Sequence, residues 1–202
     1  MKRNIAAIVL AAGSSSRMGT AKQLLRLKGR TLLRGSAEAA LASMARAVVI
    51  VVGSQAALMR DELGDLAVTI VENPRWAEVM GTSISAGIHW ITAHAVPFEA
   101  AVLMTCDQPH VTGATVGRLI EEQESSAKRL VASRYGGTIG VPALFTREYF
   151  SALSLLPPEQ GAKHVLLNHQ DEMAVVDFEE GAIDLDTPAD YERLARGSAA
   201  TS

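Results

Sequence analysis

Arg17 and Lys22 flank Gly19 in LAAGSSSRMGTAKQLL (residues 10–25), straight after an apolar run, and Asp107 follows a second such run in VLMTCDQP (residues 102–109). Small residues let backbone N–H groups approach phosphate oxygens and two cations neutralise their charge, so the first stretch has the make-up of a polyphosphate loop. Taken alone it reads equally well as an ordinary Gly/Ser turn with solvated cations. An aspartate just past a strand is aimed into the crevice where α/β sheets bind ligands, and its oxygens suit Mg²⁺; its bland counterpart is a turn carboxylate ahead of Pro109. DLDTPADY (residues 184–191) supplies a second acidic group. An Asp before Thr-Pro is also a good helix cap, and spacing alone does not separate Asp184, Asp186 and Asp190.

Two familiar phosphate loops fail on spacing. A Walker A loop needs four residues between its glycines and Lys directly after the second, whereas five residues separate Gly13 from Gly19 and Lys22 stands three further on. The dinucleotide fingerprint GxGxxG occurs nowhere in the chain, which removes the main support for hydride chemistry. The histidines also lack ligand spacing: His89 and His94, like His164 and His169, are five apart and fall on different helix faces. Cys106 beside Asp107 reads as a packed thiol, because neighbours on a strand face opposite sides.

These groups need a scaffold, and 202 residues suit one domain, expected over 1–196 with 197–202 as a fraying tail. A net charge of -3 offers no broad positive field for nucleic acid or anionic lipid. A single cysteine excludes an intramolecular disulfide and points to a reducing cytoplasm. The N-terminal MKRNIAAIVLAAG looks superficially like a secretion signal but reads better as a buried first strand, and no stretch approaches the roughly 20 apolar residues of a membrane span.

Apolar runs at 5–10, 48–52, 68–71, 101–104, 130–133 and 174–176 are continuous rather than alternating, as in parallel strands covered on both faces. Between them Leu33, Ala37, Ala40, Leu41 and Met44, and later Val116, Leu119 and Ile120, recur at helical spacing. Alternating strands and helices predict a three-layer α/β/α sandwich with a mostly parallel, Rossmann-like sheet and ligands at the carboxyl ends of its strands. Pro157 and Pro158 mark a loop between helical stretches.

LAAGSSSRMGTAKQLL resembles the LAAGxSxRMGxxKxLL signature of the nucleotidyltransferases of molybdenum-cofactor biosynthesis, particularly the molybdopterin cytidylyltransferases. The likeness continues through NPRWAEVMGTSISAG (73–87), TCDQP (105–109), GTIGVPALF (137–145), QGAKHVLL (160–167) and DLDTPADY, in family order over almost the whole chain. It implies a fold of the nucleotide-diphospho-sugar transferase type and Mg²⁺-dependent transfer of CMP from CTP to the terminal phosphate of a molybdopterin-type acceptor. In that reading Arg17 and Lys22 stabilise phosphate charge, Asp107 and Asp186 hold the metal, and Leu10, Ala11, Ala12, Gly13 and Ser14 supply backbone for base and sugar. GTP-using members tend to read LAGG where CTP-using members read LAAG, so Ala12 implies CTP.

Gly81, Thr82 and Ser83 would open a helix facing the crevice as a local anion site, and Gly140 and Pro142 would shape a turn near the acceptor. Lys163 matches a basic residue of the family's GAR block and reads equally as surface charge, while Trp76 reads as a core anchor. The chain departs from the pattern at Val79, where the family more often has Gly, and at Val141, where many cytidylyltransferases carry His. The resemblance also admits a guanylyltransferase on the same pterin, a sugar-phosphate nucleotidyltransferase, and a cofactor carrier that serves a molybdenum hydroxylase.

Overall fold

The structure is a computed structural model that describes residues 4–13, 20–78, 80–185 and 187–199. In chain order the elements are β1 (Ile5–Ala11), a two-strand hairpin of β2 (Arg26–Leu27) and β3 (Arg30–Thr31), α1 (Leu32–Leu41), β4 (Ala47–Val52) and α2 (Ala56–Leu63). Next come β5 (Thr69–Glu72), α3 (Met80–Ala93), β6 (Ala100–Thr105), α4 (Gly113–Ser126), β7 (Leu130–Tyr135) and β8 (Thr138–Thr146). The chain continues through α5 (Phe150–Ser154), α6 (Ala162–Asn168), β9 (Met173–Asp177) and α7 (Pro188–Ala199). The larger sheet has seven strands in the order β5-β4-β1-β6-β8-β7-β9.

β1 is buried throughout and pairs in parallel with β4 and β6, which explains its unbroken apolar sequence. Its side chains alternate between two cores. Ala7 and Val9 join Leu33, Ala37, Val116 and Leu119 beneath α1 and α4, while Ile8 and Leu10 join Ile84, Ile88, Phe145 and Val165 beneath α3 and α6. The three-layer sandwich read from the sequence is therefore the fold observed.

β8 was not among the apolar runs, and it alone opposes the other strands of the larger sheet, antiparallel to both β6 and β7. Gly140 and Pro142 disguise it. A proline lacks the ladder N–H and is normally excluded from a central strand. Here the β7–β8 register steps from Ala132↔Ala143 to Ser133↔Gly140, so Val141 and Pro142 fall in the irregularity and no ladder bond is lost. Pro142 follows a cis peptide bond, and its carbonyl accepts 2.6 Å from the buried Ser133 hydroxyl.

Met44 is a smaller correction. α1 stops at Leu41, and Met44, placed by periodicity on the buried face, is 48% exposed. The Ser43 hydroxyl donates to the Ala40 carbonyl (2.6 Å) and accepts from Ala45 N–H (3.1 Å), a local bond set that competes with further helix. At the other end of the chain α7 runs to Ala199, past the expected start of a fraying tail. Among the described residues no helix is long and apolar enough to cross a membrane.

Candidate active site

Leu10 of β1 lies opposite Thr105 of β6, so the segments leaving these parallel neighbours emerge side by side at the carboxyl edge of the sheet. The first returns through a short 3₁₀ turn, Lys22–Leu24, and the second begins with Cys106 and Asp107. Lys22 Nζ lies 2.7 Å from Asp107 Oδ2, with side-chain exposures of 15% and 21%. Two groups 85 positions apart in sequence, singled out separately as phosphate cation and metal carboxylate, thus meet. They sit on the wall of a cavity of about 450 Å³ that Leu10, Ala12, Gly13, Gln23, Trp76, Met80 and Ser83 also line.

The other candidates divide. Leu10, Ala12 and Gly13 line the cavity, whereas the Ala11 side chain is buried in the core beneath α1. Of the helix-opening trio only Ser83 reaches the cavity. Gly81 donates its N–H to the Pro158 carbonyl (3.0 Å), and a Cβ there would stand 2.5 Å from the Pro157 oxygen, so this glycine serves close packing against the 157–160 loop. The Thr82 hydroxyl donates to the Arg75 carbonyl (3.0 Å) and accepts from Asn73 Nδ2 (2.9 Å), which also donates to Ser83 Oγ (3.0 Å). Arg17, Ser14, Val79 and Asp186 lie outside the described residues.

The neighbours of Asp186 are placed. Leu185, fully buried, donates its N–H to the Asp107 carbonyl at 3.1 Å, which sets Asp184 and Leu185 beside the segment bearing Asp107. The choice among the three aspartates narrows accordingly. Asp190 Oδ2 accepts from Thr187 N–H (2.9 Å) and Oγ1 (2.7 Å), while its own N–H returns to Thr187 Oγ1 (3.3 Å). Asp190 therefore caps α7, with Pro188 at the first helical position.

Gln108 and Tyr135, neither assigned a role from sequence, brace this arrangement. Gln108 Nε2 donates to the Val141 carbonyl (3.1 Å) and to the Gly181 carbonyl (3.0 Å), and Tyr135 OH donates to the same Val141 oxygen (2.9 Å). A Cβ at Gly140 would meet the Tyr135 hydroxyl at 2.3 Å, and one at Gly181 would meet the Tyr135 ring at 2.7 Å, so two glycines make room for one phenol. Burial pushes the Tyr135 phenol above its usual value; the charges on Asp184 and Asp107 add to this, and a Gln108 hydrogen bond opposes it.

Cys106 is 3% exposed, and burial, reinforced by the Asp107 charge, pushes its thiol up to about 12. A thiol held neutral is a packing group, although Cys106 lies just past β6 and lines the cavity with Asp107 rather than facing away from it. Lys163 Nζ donates to Thr138 Oγ1 (2.6 Å) at an exposed site by the start of β8. Trp76 packs on the core beneath α3 and also lines the cavity, so it is more than the anchor expected. No group of three potential metal ligands occurs among the described residues.

Gly53, immediately after β4, lets Trp76 close on the loop. A Cβ there would lie 2.5 Å from Trp76 Cβ and 2.7 Å from the Ala12 carbonyl oxygen, and neither atom belongs to the flexible end of a side chain. Gly53→Ala is expected to cost about 1–3 kcal/mol in urea unfolding through overpacking, because it displaces the cavity wall.

The MobA-like NTP transferase domain model matches residues 7–173. The chain belongs to that family. It is 26% identical over 185 residues to the molybdenum cofactor cytidylyltransferase of Escherichia coli (strain K12), covering 91% of this chain and 92% of that one. It is 35% identical over 117 residues to the nicotine blue oxidoreductase of Paenarthrobacter nicotinovorans, a match that takes in 57% of this chain and spans about 55% of that relative's length. Among solved structures, Rv0371c of Mycobacterium tuberculosis, in complex with manganese, superposes with a TM-score of 0.73 at 27% identity, over 96% of this chain and 98% of that one. The chain thus carries a MobA-like NTP transferase domain.

Proposed function

We propose that this chain transfers CMP from CTP to the terminal phosphate of a molybdopterin-type acceptor and releases pyrophosphate. The observation that carries the reading is the 2.7 Å contact of Lys22 Nζ with Asp107 Oδ2 on the wall of a nucleotide-sized cavity at the carboxyl edge of the sheet. Ala12 in the LAAG stretch supports CTP, and the Escherichia coli relative's name supports the acceptor.

In the reaction a terminal phosphate oxygen of the acceptor attacks the α-phosphorus of CTP, a new P–O bond forms, and the bond to the bridging oxygen of pyrophosphate breaks. No enzyme nucleophile is required. Lys22 exchanges its carboxylate partner for the α-phosphate oxygens and the departing pyrophosphate, where negative charge gathers. Arg17 serves the same charge from the loop, and the backbone of Ala12 and Gly13 with Ser83 orients base and sugar.

A divalent cation fits the oxygen chemistry of this corner. The Asp107 carboxylate is partly exposed beside the cavity, and Leu185, next in sequence to Asp186, donates its N–H to the Asp107 carbonyl. Asp107 and Asp186 would hold Mg²⁺, and the manganese in the Rv0371c complex supports a divalent ion. When bound, the ion would polarise the phosphate oxygens.

The test is a turnover matrix: pyrophosphate release with CTP, GTP, UTP and ATP, each alone and with molybdenum-loaded molybdopterin or a sugar phosphate. Release only with CTP and the pterin is expected. A preference for GTP, turnover confined to a sugar phosphate, or delivery of finished cofactor to a molybdenum hydroxylase with no pyrophosphate release would replace this reading by the corresponding alternative.

A further inference from the structure

Gln23 stands directly after Lys22, yet its side chain goes the other way. It is 1% exposed, and its Nε2 donates to the Ala11 carbonyl at 3.1 Å and to the Gly13 carbonyl at 2.7 Å. A carboxamide NH₂ has two donors, and both are placed on the two carbonyls that bracket Ala12. The intervening Ala12 carbonyl lies close to Gly53, where a Cβ would stand 2.7 Å from its oxygen. The two peptide carbonyls that flank Ala12 at the end of β1 are thereby fixed in orientation.

This matters because Ala11, Ala12 and Gly13 have no polar side-chain atoms. Any hydrogen-bond discrimination along this stretch comes from peptide groups, so whatever orients them decides the donor and acceptor pattern that a base meets. The 3₁₀ turn Lys22–Leu24, held by Leu24 N–H to Ala21 O (2.9 Å) and Leu25 N–H to Lys22 O (3.1 Å), carries both halves of the site. Lys22 reaches to Asp107 at the phosphate end, and Gln23 reaches back to Ala11 and Gly13 at the other.

We propose that Gln23 is a positioning residue of the triphosphate site: its carboxamide locks the Ala11–Gly13 backbone against which the base is read, and so governs which base is accepted. The proposal rests on the reading of this cavity as a triphosphate site. It does not depend on the acceptor.

The experiment measures binding of CTP, GTP, UTP and ATP by titration calorimetry with Mg²⁺ to the wild type, to Gln23→Met and to Gln23→Asn, with far-ultraviolet circular dichroism as the fold control. Met keeps the volume and removes both donors; Asn keeps the donors one methylene short. Gln23→Met is expected to weaken the preferred triphosphate about tenfold and to narrow its lead over the other bases, because lost preorganisation appears in binding. Gln23→Asn should fall between the two and is read in the same way should the Met variant not fold. Folded variants with unchanged affinity and unchanged base preference would reduce Gln23 to a core amide and overturn the proposal alone. A wild type that binds none of the four would overturn the triphosphate reading, and this proposal with it.

Discussion

Asp107→Asn is expected to lower pyrophosphate release on the order of 1000-fold while the protein stays folded. The amide keeps the size and one acceptor oxygen of the carboxylate but loses the charge that holds a divalent cation, and that cation contributes several kcal/mol to stabilising the transferring phosphoryl group. Stability should fall as well. The pair is mostly buried, with side-chain exposures of 15% and 21%, so removing the carboxylate's charge beside Lys22 should cost about 1–3 kcal/mol in thermal or urea unfolding. A coupled assay for pyrophosphate alongside a melting curve separates the effects. Retained turnover would move the metal elsewhere, and unchanged cofactor delivery by the variant would favour the carrier function.

Lys22→Met should lower kcat on the order of 100- to 1000-fold, the magnitude seen when one positioned donor is removed from developing charge. The distinguishing result is its opposite effect on metal binding. Because Lys22 Nζ occupies Asp107 Oδ2 at 2.7 Å, removing it frees a carboxylate oxygen, and Mn²⁺ should bind the variant at least as tightly as the wild type. A Lys22 whose role was only to shape Asp107 would instead give weaker Mn²⁺ binding together with the loss of rate. Electron paramagnetic resonance of free Mn²⁺ during titration reads this directly.

Much of the scaffold was legible because its strands are buried on both faces and so have unbroken Val, Ile and Ala runs; β1, β4 and β6 stand where those runs are. β8 escaped because Gly140 and Pro142 interrupt it, and a proline is acceptable there only through a register irregularity that depends on the neighbouring strand β7. The β2–β3 hairpin, with two residues in each strand, leaves no periodicity to detect.

Within the site, Lys22 and Asp107 were legible from residue type and loop context. Gln23 was not, since a glutamine between Lys22 and Leu24 has no periodicity, and its two acceptors are backbone carbonyls that only the folded loop brings within reach. The roles of Gly81 and Thr82 show the converse. A Gly-Thr-Ser helix start suggests anion binding, yet contacts with the 157–160 loop, Asn73 and Arg75 account for the first two positions. Gln108 was within reach of the sequence reading, because it lies in the TCDQP block, but its link to Val141 and Gly181 depends on long-range topology.

The most direct test is a Mn²⁺ titration in the presence of CTP on the wild type, Asp107→Asn and Asp186→Asn. One ion per chain is predicted for the wild type, with affinity lowered at least about tenfold in each variant, since each removes one of two anionic ligands. Affinity unchanged in either folded variant would contradict a shared ion between these two segments.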